Sequence, residues 1–174
     1  MNETRKLTIK EIFLMGIFAT LFMDVGYLFI VYVVKIIQPS MMPYHLGRWI
    51  LYMFQGIFVH DDIRLVNPIF IEKPVTPLMH YMIGIFLAAV FFWMRKNVKL
   101  FPKSIYMGII FGWITVILPW FIMYPALGFG FLGLDCPQNT NYIFLSFFNH
   151  TLYGLGITLW LGLIRKVVIK DIQK

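Results

Sequence analysis

Four stretches of this 174-residue chain stay apolar for about as long as a helix needs to cross a bilayer. They cover about 11–37, 76–95, 103–124 and 142–164. Runs of that length, in a chain that is 60% hydrophobic and only 13% charged, leave little choice of fold. A soluble domain would be roughly a quarter charged. Mean hydropathy is +0.77. The reading is all-α: a polytopic membrane four-helix bundle, one integral membrane domain over 1–174, with the lipid bilayer as its first partner.

Local signals refine the spans. Thr76-Pro77 reads as an N-cap followed by a proline at the first helical position. Pro119 is expected to kink the outer end of the third span. Arg5, Lys6 and Lys10 before the first run imitate a signal peptide. That run extends to about Val34, holds Asp24 and ends in no Ala-x-Ala-like site, so it reads as a retained span. Trp93, Trp120 and Trp160 fall near span ends, where interfacial aromatics belong.

The net charge of +7 is explained by topology better than by nucleic acid, and no nucleic-acid partner is expected. The two tails and the second connection hold eleven Lys and Arg: Arg5, Lys6, Lys10, Arg95, Lys96, Lys99, Lys103, Arg165, Lys166, Lys170 and Lys174. The opposite side holds Lys35, Arg48, Arg64 and Lys73. The positive-inside rule then puts both termini in the cytoplasm, with a bacterial inner (plasma) membrane as the expected location. Cys136 is the single cysteine, which excludes an intramolecular disulfide and a Cys-based metal motif.

The first outer connection has helical periodicity from His45 to Ile57. Leu46, Trp49, Ile50, Met53 and Ile57 share one face; His45, Arg48, Tyr52 and Gln55 share the other. An amphipathic helix over about 44–58 is expected, lying in the outer interface or capping the bundle.

Against this apolar background, Asp24, His80 and His150 sit inside spans, and His60 and Asp61 at an outer mouth. An ionisable group in hydrocarbon costs at least roughly 2.5–3.5 kcal/mol, so each is a functional candidate. Residues four apart share a helix face, and small residues mark helix contacts. The rows are Gly16, Thr20, Asp24; His80, Gly84, Ala88; Gly108, Gly112; and His150, Gly154, Thr158, Gly162. Every embedded ionisable group therefore lies on a packing row, facing the bundle interior. At ~1.5 Å per residue, His80 is expected ~6 Å deep, His150 ~12 Å and Asp24 ~17–20 Å.

Such a ladder cannot place four ligands on one ion, because zinc needs its donors within ~2.0–2.2 Å. A shallow set of His60, Asp61 and His80, or a deeper pairing of His150 with Asp24, remains open. Imidazole with carboxylate suits a transition metal ion, Zn or Fe, and His60, His80, His150 and Asp24 are the candidate ligands. No cofactor is certain. A proton relay tolerates the spread best. No Gly-rich phosphate loop and no His-Glu-x-x-His occurs, and Gly128 to Gly133 carries no cation to hold an anion.

Together, Met23-Asp24, Gly47-Arg48-Trp49, Gly56-x-Phe58-x-His60, His80-Tyr81, Ile83-Gly84, Met123-x-Pro125 and His150 with Gly154-x-Gly156 resemble a known pattern. It is that of an uncharacterised bacterial family of small four-span membrane proteins, domain of unknown function 2938. The resemblance spans about 15–160 and implies that Asp24, Arg48, His60, His80 and His150 matter. Family sequences often carry a further histidine where this chain has Tyr52. No activity comes with the resemblance. The expected function is metal-ion binding or proton-coupled transport, with Arg48 on an outer carboxylate or a lipid phosphate. The alternatives are a non-catalytic assembly subunit, binding itself or a membrane-complex partner, and an enzyme acting on lipid or quinone.

Overall fold

The computed structural model describes residues 8–34, 44–98, 106–136 and 139–172. Helix α1, Ile9–Leu28, starts on a capping box: Thr8 Oγ1 accepts from Glu11 N–H at 3.2 Å, and Glu11 Oε2 accepts from Thr8 N–H at 2.8 Å. It runs on as a wider π-helical turn over Phe29–Val34. The expected last residues of this span, 35–37, lie outside the described residues, as do 103–105 of the third.

Helix α2, His45–Met53, ends sooner than its periodicity suggests. Gly56 at φ +82 turns the chain left-handed, Gly56 N–H bonds Met53 O, and the backbone leaves the helical path. Helix α3, Glu72–Asn97, starts four residues before the Thr76-Pro77 signal. Thr76 is thus no N-cap. Its hydroxyl donates to Glu72 O at 2.9 Å and accepts Gly47 N–H at 3.1 Å, docking α2 on α3. Pro77 sits inside the helix and forgoes one bond of the ladder.

Helix α4, Met107–Thr115, continues through a π-turn over Pro119–Met123 into the short α5, Tyr124–Ala126. Pro119 has no N–H, and Tyr124 N–H reaches back five residues to Pro119 O. The expected irregularity at Pro119 is therefore a widening of the helix. Helix α6 is Asn139–Ile172.

Among the described residues, four helices are long and apolar enough to cross a membrane: Ile9–Val33, Glu72–Asn97, Met107–Ala126 and Ile143–Ile164. They form the all-α bundle that the sequence predicts. α1 packs on α3 and α6, and α4 packs on α6, each neighbour running antiparallel. The small-residue rows are where backbones meet. A Cβ on Gly16 would lie 2.5 Å from Ile85 Cα, one on Gly156 2.7 Å from Ala19 Cα, and one on Gly154 2.8 Å from Ile109 Cα. The core between them holds Met15, Leu87, Phe91, Phe111 and Ile157, while Leu21, Val25, Phe86 and Ile117 point outward. At the α2 end a second apolar cluster joins Ile63, Tyr124, Leu127, Phe129 and Cys136.

The cap buries residues of both faces. His45 and Arg48 of the polar face and Ile50 of the apolar face are buried, whereas Gln55 and Ile57, past the end of α2, are exposed. α2 thus caps the bundle, and its charged face meets protein.

Candidate intramembrane polar site

Thr20 is wholly buried on α1, packed at Gly84 of α3, and its hydroxyl donates to Gly16 O at 2.9 Å. One turn further along the same row is Asp24; one turn before Gly84 is His80. Their side chains meet: His80 Nε2 lies 3.0 Å from Asp24 Oδ1. The Tyr81 hydroxyl reaches the same carboxylate, and the His80 and Tyr81 rings meet edge to face at 5.9 Å. Both partners keep about a third of their side-chain surface exposed, 34% for His80 and 37% for Asp24, so the seam is not closed over them.

This pairing corrects the expected depths. Because α3 begins at Glu72, His80 is eight residues in, roughly 12 Å deep rather than ~6 Å. Asp24 lies nine residues from Val33, the end of its span, or roughly 14 Å deep. The two stand level, and the graded ladder reduces to a pair.

His150 is held elsewhere, and its expected pairing with Asp24 is not found. Its Nδ1 lies 2.8 Å from Thr115 Oγ1, which also donates to Gly112 O at 2.7 Å. A hydroxyl has one hydrogen; given to Gly112, it leaves the Thr115 oxygen to accept Nδ1–H, and Nε2 then carries the lone pair. His150 remains within electrostatic range of His80. Beside it, Asn149 Oδ1 is buried without a partner among the described residues.

His60 and Asp61 belong to the cap. His60 is 8% exposed, its N–H donates to Ala126 O at 2.9 Å, and its ring stands edge-on to Tyr52 at 5.2 Å. Burial holds its pKa below the ordinary imidazole value, against the opposing pull of Asp61. Asp61 itself is exposed. No three His, Cys, Asp or Glu side chains come together among the described residues in a way that would hold a metal ion, so the shallow His60, Asp61 and His80 set is not assembled.

Arg48 is spent on the protein. Nε and Nη2 donate to Glu72 Oε2 and Oε1 at 2.7 and 2.9 Å, and Nη1 donates to Ile63 O and Val66 O at 3.0 Å. The carboxylate expected for Arg48 is therefore Glu72, and the lipid-phosphate reading falls because the guanidinium is already paired. Glu72 escaped sequence reasoning. Its signal is a lone acid opening an apolar run, where a first-turn carboxylate complements the helix dipole. His45, expected at the interface, is 6% exposed, with neither ring nitrogen partnered among the described residues.

The family model described as Protein of unknown function (DUF2938) matches residues 13–164, and the chain belongs to this family. No curated protein and no solved structure matches it.

Proposed function

We propose that this member of a family without an assigned activity is a proton-coupled transporter whose proton-carrying site is the Asp24–His80 pair. The observation that carries the reading is the 3.0 Å contact between a carboxylate and an imidazole inside two membrane-spanning helices. One proton fewer or more changes the net charge of such a pair by one. In a low-dielectric seam that change is costly enough to drive helices between arrangements. The one-third exposure of both side chains leaves the pair partly uncovered by protein, so a proton donor need not displace a packed side chain to reach it. His150, within electrostatic range and with Nε2 free to accept, is the next proton position. Of the two expected functions, metal holding is the less supported, since Asp24 and His80 supply two donors with no third of their kind beside them among the described residues. The Lys and Arg bias supports cytoplasmic termini in a bacterial inner membrane, with α2 on the outer side.

Infrared difference spectra of the protein in proteoliposomes, recorded as a proton gradient is imposed across the membrane, test this. One membrane-embedded carboxyl band is expected to respond, to vanish in Asp24→Asn and to move in His80→Gln. If Asp24→Asn removes no responding carboxyl band, the proposal fails. It also fails, in favour of metal holding, if elemental analysis finds about one zinc or iron per chain that His80→Ala loses.

A further inference from the structure

α2 is docked on the very row of α3 that carries His80. Gly47 N–H bonds the Thr76 hydroxyl, Arg48 closes on Glu72, and a Cβ on Gly47 would strike Glu72 O and Thr76. Glu72, Thr76, His80 and Gly84 are spaced four apart and share one face. The helix therefore covers the row one and two turns from His80.

The same helix carries a buried imidazole that the closed cap leaves unsatisfied. Both ring nitrogens of His45 are sealed from solvent and have no hydrogen-bond partner among the described residues. The groups that face it are Arg48 from its own helix, Arg64 and Asp62 from the following loop, Glu72 from α3, and the Phe129 ring edge-on at 5.9 Å. A buried polar group without a partner loses its hydration and gains nothing back, so leaving the pocket is favourable for this side chain. A second charge beside Arg48 and Arg64 makes it more so.

We infer that α2 is an acid-released lid on the Glu72–Thr76 face of α3, beside the Asp24–His80 pair on the same row, and that protonation of His45 favours the state in which α2 has left Glu72 and Thr76. Any effect of the release on transport rests on the reading of Asp24–His80 as the working site; the acid release itself does not. Burial first, then the Arg48 and Arg64 charges, lower the His45 pKa from 6.5 to about 4, with Asp62 and Glu72 pulling the other way. The open form thus binds the proton better. Lid closure is at full strength above about pH 6.5 and weakens as pH falls towards 4. From pH 7.5 to 5 the open-to-closed ratio rises about 30-fold on these values.

Cys136 reports the opening without an added label site. It is the sole cysteine, is 4% exposed, and lies in the apolar cluster against which Trp49 of α2 packs. Its rate of reaction with dithiodipyridine is measured in nanodiscs and divided by the rate for unfolded protein at the same pH. The ratio is expected to rise about 30-fold from pH 7.5 to 5, and His45→Gln to flatten that rise. A flat wild type, or a rise that His45→Gln keeps, overturns the lid. Where His45→Gln does not fold, hydrogen exchange of amides 45–53 in the wild type, corrected for intrinsic rates, decides: unchanged protection at the two pH values overturns it. Asp24→Asn leaves the Cys136 rise in place, so failure of the proton site and failure of the lid read out separately.

Discussion

Removing the Arg48 guanidinium tests what holds the cap to the bundle. The side chains of Arg48 and Glu72 are each 5% exposed, and their two hydrogen bonds close a fork at 2.7 and 2.9 Å. Arg48→Met keeps most of the stem but withdraws four donors. Glu72 is left as a buried charge with Ile69 N–H at 3.0 Å, Val66 O loses the Arg48 donor, and Ile63 O keeps only Val66 N–H at 3.4 Å. Removing one partner of a buried ion pair costs about 3–5 kcal/mol, because the other charge stays desolvated. Arg48→Met with Glu72→Leu removes that charge too, and an ion pair exchanged for apolar groups is often close to neutral. The two carbonyls still lack the Arg48 donor, at about 1–3 kcal/mol in all. The double variant should therefore be more stable than the Arg48→Met single variant, by about 2 kcal/mol. Reversible unfolding by a denaturing detergent in mixed micelles gives the global values. Cys136 modification gives the local one, where 3 kcal/mol is a rate increase of more than about 100-fold. If Arg48→Met falls within 1 kcal/mol of wild type, or the double variant is less stable than the single, the fork is not the clamp.

Two further substitutions probe the helix seams. Gly154→Ala places a methyl 2.8 Å from Ile109 Cα and should cost about 1–3 kcal/mol in detergent unfolding, while moving the nitrogen resonances of His150 as α4 and α6 part. Tyr153→Phe removes the hydroxyl that donates to Gly84 O at 2.6 Å. It should cost only about 0.6 kcal/mol, the usual worth of an interhelical hydrogen bond in a membrane, and a loss above 2 kcal/mol would show that more than this bond is at stake.

Much of the bundle is legible in the sequence because bilayer thickness imposes a length on each run and small residues impose a face. The rows through Gly16 and Thr20, Gly84, Gly108 and Gly112, and Gly154 are the contacts that the structure uses. Face is read from spacing, and spacing needs no knowledge of where a helix begins. Depth does need it, and there the reading failed. Thr76-Pro77 is a persuasive start signal, but the first turn is fixed from elsewhere: Glu72 Oε2 accepts Ile69 N–H, and Arg48, 24 positions earlier, holds the same carboxylate. A long-range ion pair leaves no trace in local propensity, so His80 came out one turn too shallow and its partner was missed. The burial of His45 and Arg48 was hidden for the same reason, since periodicity separates two faces without saying which residues meet protein.

The docking of α2 and the placing of His80 use one ruler. Glu72 and Thr76 take the cap, and His80 takes Asp24, on a single face of α3 two turns long. An insertion or deletion of one residue between 72 and 80 leaves the hydropathy of the span untouched, yet rotates everything beyond it by about 100°. Either the clamp or the pair then faces lipid. A natural chain that carries such a length change is thus expected to have given up one of the two, or to have reset the register with a bulge in α3.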